Sequence, residues 1–167
     1  MSEALFRQSV PVFIRMLGNL KNILKKAKTY SEEKKIEEAV LLQARLFPDM
    51  FPLVRQVQIA GDFAKGVGAR LSGQEVPKYE DSEGTIDELI ARLDKTIAYL
   101  QPLKPEQFAG AAERVVTLPF RPDQPMGGEV YLIDFAIPNF YFHATTSYAI
   151  LRHLGLGIGK GDFVGEV

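Results

Sequence analysis

Cysteine and tryptophan are missing from the 167 residues, and histidine occurs only at 143 and 153. Without cysteine there is no disulfide framework, no thiol nucleophile and no zinc site built on sulfur. Two histidines cannot supply an all-protein three-histidine metal site from one chain. An excess of either charge is lacking too. Twenty Lys+Arg stand against 21 Asp+Glu, for a net charge of -1, so no global field draws the chain to nucleic acid or anionic lipid. The longest charge-free run, Phe135 to Leu151, is slightly short for a membrane span and contains Asn139, His143, Thr145, Thr146 and Ser147. A buried helix is the expectation there, with no membrane partner. Glu3 and Arg7 interrupt the stretch that a signal peptide would keep apolar, so a cytoplasmic location is expected.

What is present reads as helix. The length and 46% hydrophobic content suit a single domain over residues 1–167. From about Glu3 to Lys28, apolar residues recur at Phe6, Val10, Phe13, Leu17, Leu20 and Leu24, a helical period that Pro11 should kink. Ser31 then opens an acidic start that predicts one short helix and a break near Pro48. A second long helix is expected from Asp49 or Met50, with Asp49 as N-cap and Pro52 in the first turn. Its seam is Leu53, Val57, Ala60, Ala64, Val67 and Leu71, widened by Ile59 and Phe63. Arg55, Gln58, Asp62 and Lys65 fall on the far side, whereas Gln56 projects into the apolar arc.

A polar loop follows, and Thr85 with Glu88 forms a capping box for a third helix ending near Pro102. Pro105 to Phe108 suggests one more turn. Glu113 to Phe120 has strand character, and prolines 119, 122 and 125 argue against regular continuation. A second strand is placed near Gly128 to Tyr131, giving a minor hairpin. The fourth helix is expected from Asp134, as N-cap, to Leu154, with Gly155 as its stop. The glycines of residues 155–167 lack phosphate-loop spacing and suggest an irregular tail.

Chemistry is confined to few positions. On the fourth helix Asn139 and His143 lie one turn apart on a face shared with Phe135, Ile150 and Leu154. Buried polar groups there need partners, and Gln56 is a candidate from the second helix. Two readings stay open: a small-molecule pocket with His143 as general acid or base, or a core polar network that fixes helix register. His153 is expected to close its helix end. Tyr141, Tyr148 and Arg152 form an opposite stripe suited to a subunit interface.

The segments LFPDMFPLVRQVQIAGDFAK and IPNFYFHATTSYAILRHLG, with the IGKGDF tail, resemble the DUF1993 family, a branch of the DinB/YfiT-like proteins. That resemblance implies an all-α, up-down four-helix bundle with short extra helices, often dimeric in the wider superfamily. It also implies metal-dependent chemistry on a histidine triad, one histidine from the second helix and an H-x-x-x-H pair from the fourth. His143 matches the second histidine of the pair, Asn139 stands at the first, and Gln56 stands at the second-helix position, with Asp62 or Gln58 as alternatives. One imidazole with two carboxamides is a poor divalent site. No cofactor is therefore expected, a divalent metal through Asp62 being the alternative, and the expected partners are a small molecule and a second copy. A dimeric interaction bundle and a metal-dependent hydrolase or transferase are the competing functions. DNA repair has no support from charge or motif.

Overall fold

The computed structural model describes residues 2–166. Helix α1 (Ser2–Lys34) is one continuous element of 33 residues, with Phe13, Leu17, Leu20 and Leu24 on its buried face. Pro11 is accommodated on its exposed side. The expected restart at Ser31 does not occur. Ser31 is buried within the helix and its hydroxyl donates to the Lys28 carbonyl at 2.7 Å, so it caps nothing. The chain turns at Lys35, in the left-handed region at φ 56°, and the short helix α2 spans only Glu38–Leu42.

Helix α3 (Leu53–Ser72) starts later than Asp49 or Met50, with Pro52 in extended conformation as its N-cap residue. A proline forces the residue before it out of helical geometry, so Phe51 cannot extend the helix backwards. Asp49 is left in the preceding turn, which the Arg45 guanidinium ties by bonds to the carbonyls of Pro48 and Met50. The whole α3 seam from Leu53 to Leu71 is buried. Gly73, at φ 77°, ends the helix.

Helix α4 (Ile86–Leu100) opens with the anticipated capping box: the Glu88 N–H donates to Thr85 Oγ1, and the Thr85 N–H donates to the Glu88 carboxylate. A 3-10 turn covers Pro105–Phe108. Strand β1 (Val115–Leu118) pairs antiparallel with β2 (Arg121–Gly127). The partner strand therefore precedes the expected Gly128–Tyr131 position and runs through Pro122 and Pro125. A two-stranded ribbon has only edges, where a missing N–H removes no required bond, and the paired positions are 115, 116 and 118 with 127, 126 and 121.

Residues 128 onward are helical: α5 (Gly128–Val130), a π-helical stretch Tyr131–Ala136, and α6 (Ile137–His153). Asp134 thus sits inside the wide turn and is not an N-cap. Pro138, in the first turn of α6, has no N–H to give the Asp134 carbonyl four residues back, so the end of this stretch lacks an ordinary α-helical bond. At Gly128 a Cβ would stand 1.9 Å from the Ala111 carbonyl oxygen, so only glycine lets the chain pass. Gly155, at φ 95°, stops α6, with the Leu156 N–H returning to the Leu151 carbonyl. The tail is less irregular than expected. Residues Lys160–Val164 form helix α7, held to α1 by Lys26–Asp162 and by Asn19 donating to the carbonyls of Phe163 and Val164.

The four long helices α1, α3, α4 and α6 form the bundle, α3 packing against α6 and α4 and α1 against α4. Their shared core includes Phe13, Leu17, Val57, Leu93 and Phe140. The hairpin lies beside the α3–α6 contact, and its Leu118 and Phe120 line a cavity there.

Candidate functional site

Gln56 turns inward from α3 and is buried, as its place in the apolar arc predicts. Its Nε2 donates to the Phe51 carbonyl at 3.1 Å, which presents Oε1 to Nδ1 of His143 at 2.7 Å. A carboxamide oxygen only accepts, so Nδ1 carries the proton and the ring lone pair is on Nε2. Burial, aided by the Arg55 guanidinium, pushes His143 from its ordinary 6.5 down to about 4. The ring is thus neutral at physiological pH. Phe63 stacks on it at 6.1 Å and Phe142 meets it edge-on at 5.2 Å. Nothing among the described residues bonds Nε2.

His143 and Asn139 form part of the wall of a cavity of about 430 Å³ between α3, the π-helical stretch, α6 and the hairpin. Asn139 is not joined to His143. Its Nδ2 donates to the Phe135 carbonyl at 2.7 Å, patching the backbone just ahead of α6. Most of the remaining wall is apolar, with Ile59, Phe63, Leu118, Phe120 and Phe135. Its other charged members are Arg55, Asp62, Lys65 and Arg70. Arg70 and Tyr131 were not anticipated from sequence. The signal for Arg70 was a cation four residues after Gly66 on α3, one turn further along the same face.

The far side of α3 is not a solvated face. Gln58 and Lys65 are buried, because the acidic loop between α3 and α4 folds over them. Gln58 donates to Glu83 at 2.7 Å, and Arg55 pairs with Asp81. Arg92, reaching across from α4, binds Asp62, Asp81 and Glu83, each at 3.0 Å, while Lys65 binds Asp62 at 2.9 Å. Tyr79 lies under these cations, with Lys65 Nζ 3.9 Å and Lys95 Nζ 4.2 Å from its ring centre.

These contacts decide how well a resident divalent metal fits. Both polar ends of Gln56 are engaged, Asn139 Nδ2 is bonded to the backbone, and Asp62 is neutralised by Lys65 and Arg92. The Arg55 charge also bears on His143 and would repel a cation there. Among the described residues, no three His, Cys, Asp or Glu side chains form a group that could hold a metal ion, the carboxylates around Arg92 being turned to that guanidinium. A donor set of one imidazole and two neutral amides does not suit a transition metal.

Other candidates have local roles. His153 is exposed, and the end of α6 is instead bonded by Tyr30, whose hydroxyl donates to the Leu154 carbonyl at 3.0 Å. Tyr148 packs on Phe163 of α7, and Arg152 donates to the Leu156 carbonyl, so the chain's own tail engages two of the three residues of that stripe. Tyr141 instead lines a separate open groove with Leu46, Met50 and Phe142.

A family model described as a domain of unknown function, DUF1993, matches residues 5–164. The chain is similar to a solved structure of a DinB family member protein from Shewanella denitrificans, with 43% identity and a TM-score of 0.94, covering 99% of this chain and 94% of that one. No curated protein matches. No described helix is long and apolar enough to cross a membrane.

Proposed function

The chain belongs to the DUF1993 family, and from its own pairing of Gln56 with His143 we propose that it binds a small organic molecule in the cavity beside His143. The observation that carries this reading is the fixed tautomer. Phe51 orients Gln56, Gln56 holds the proton on Nδ1, and Nε2 is left as an acceptor at the cavity wall. A polar pair that served only helix register would be complete within itself. This one has an unused lone pair beside an apolar volume of ligand size. In the bound state Nε2 accepts from a ligand O–H or N–H. If the bound group is acidic enough, the same atom takes its proton as a general base, and Gln56 Oε1 steadies the imidazolium.

Screening small organic fragments for ligand-induced melting shifts tests the reading. At least one chemical class should raise the melting temperature of the wild type and lose that effect in His143→Ala. Identical responses from the two proteins across the set would overturn it.

A second reading is supported by a different surface. Leu46, Phe47, Phe51 and Phe142 are exposed, Phe142 by 56%, and Leu46 and Phe142 share the groove with Tyr141. An apolar patch of this kind suits a second copy. Sedimentation should give a dimer at micromolar concentration and a monomer for Phe142→Glu. A monomeric wild type would remove this reading.

A further inference from the structure

We propose that the ligand of the His143 cavity is an anion: an amphipathic carboxylate whose charged end is held by Arg70 and Tyr131, and whose far end carries a hydrogen-bond donor for His143. The inference rests on the cavity reading above and adds the chemical class.

The charge distribution around the cavity gives the first argument. Arg55 and Lys65 already have carboxylate partners, Asp81 and Asp62. Arg70 has none among the described residues. Its guanidinium donates to the Tyr131 hydroxyl at 3.2 Å and lies 5.7 Å from the centre of that ring. Tyr131 is buried, and its hydroxyl proton meets no acceptor among the described residues. Two donors, one cationic, are therefore left together in a largely apolar cavity that also contains Phe63 and Phe135. A carboxylate accepts from both, and the planar guanidinium suits its two oxygens.

Gly66 supplies the second argument. A Cβ at this helical position would stand 2.3 Å from Arg70 Nη1 and 3.5 Å from the Tyr131 hydroxyl. Glycine weakens a helix interior relative to alanine, and nothing else in that space requires it. The bare backbone lets the Arg70 guanidinium fold against its own helix toward Tyr131. Any larger residue would push it away.

Geometry then sets the ligand's length. His143 stacks on Phe63 at 6.1 Å, Phe63 meets Phe135 at 5.9 Å, and Phe135 stacks on Tyr131 at 6.3 Å. Two phenyl rings, Phe63 and Phe135, thus lie between the two polar ends, and a ligand that follows them has an apolar or aromatic middle. An aryl-alkyl carboxylate with a hydroxyl at its distal end meets all three requirements.

Titration calorimetry with 4-hydroxyphenylpropanoate, its uncharged amide and the phenylpropanoate lacking the hydroxyl tests the assignment. The wild type should bind the hydroxy acid about tenfold more tightly than the amide, and the acid lacking the hydroxyl should bind more weakly than the hydroxy acid. Arg70→Gln should abolish the preference of acid over amide. Gly66→Ala should do the same while raising the melting temperature, a combination that a purely structural glycine would not give. Equal binding of acid and amide by the wild type, or full acid affinity in both variants, would overturn the anion assignment and leave the cavity reading standing. Absence of binding by all three probes at millimolar concentration would overturn the assignment for this ligand class. Fragment-induced melting shifts dependent on His143 would still uphold the cavity.

Discussion

Arg92→Ala should lower the unfolding free energy by about 3 kcal/mol, the low end of the 3–5 kcal/mol typical for removing one partner of a buried ion pair. The Arg92 side chain is only 2% exposed and meets three carboxylates. Burial opposes its charge, but the bond to Glu83 and the charges of Asp62, Glu83 and Asp81 hold its pKa above the ordinary range. The low end applies because each carboxylate keeps another partner: Lys65 for Asp62, Arg55 for Asp81 and Gln58 for Glu83. The loss should also be local. Arg92 donates to the Glu80 carbonyl at 2.9 Å and so ties the α3–α4 loop to α4. Denaturant titration would measure the global effect, and trypsin should cut after the exposed Lys78 much faster in the variant. A change below about 1 kcal/mol with an equally resistant loop would show that the cluster is neutral.

Acidification should destabilise the fold through His143. Its folded pKa of about 4 lies below the ordinary 6.5, so between these values the unfolded chain binds a proton that the folded chain refuses. Stability is therefore complete above pH 6.5 and falls as the pH drops toward 4. The contribution is about 3 kcal/mol, from roughly 1.4 kcal/mol for each unit of difference. Replacing His153 with glutamine leaves one histidine to follow by NMR, and its ring signals should stay constant from pH 8 to about 5. The stability difference between this protein and the same protein with His143→Gln should narrow on acidification, as the histidine's advantage is lost. A His143 midpoint at or above 6 would mean that the ring is not desolvated as its surroundings imply.

The helices were legible where apolar spacing alone governs them. The Leu53-to-Leu71 seam, the Thr85–Glu88 box and the Gly155 stop all stand where expected. The inward turn of Gln56 was legible for the same reason, since its neighbours on the wheel are core residues. Errors arose where a residue's local preference yielded to its surroundings. Ser31 has the chemistry of a cap but is inside a helix whose apolar face continues past it. Pro122 and Pro125 discouraged a strand, yet a two-stranded ribbon leaves their missing donors uncalled for. Lys65 and Gln58 read as solvent-facing because no periodicity reveals that an acidic loop returns to cover them. Arg70 was missed because its significance depends on Tyr131, 61 positions away in the chain.

The wide helical turn at Tyr131–Ala136 couples the length of this segment to its chemistry. A π-helical turn holds one residue more than an α-helical turn over the same rise. A relative one residue shorter between Val130 and Ile137 could therefore wind the stretch as ordinary α-helix and keep both α6 and the hairpin ahead of it in place. The same deletion further along α6 has no wide turn to absorb it, and would rotate everything before it by roughly 100°, the angle per residue at 3.6 residues per turn. Tyr131 would then leave its place beside Arg70. Length variation among relatives should therefore gather in the wide turn, where side chains on the cavity wall change while the frame that holds Gln56 and His143 does not.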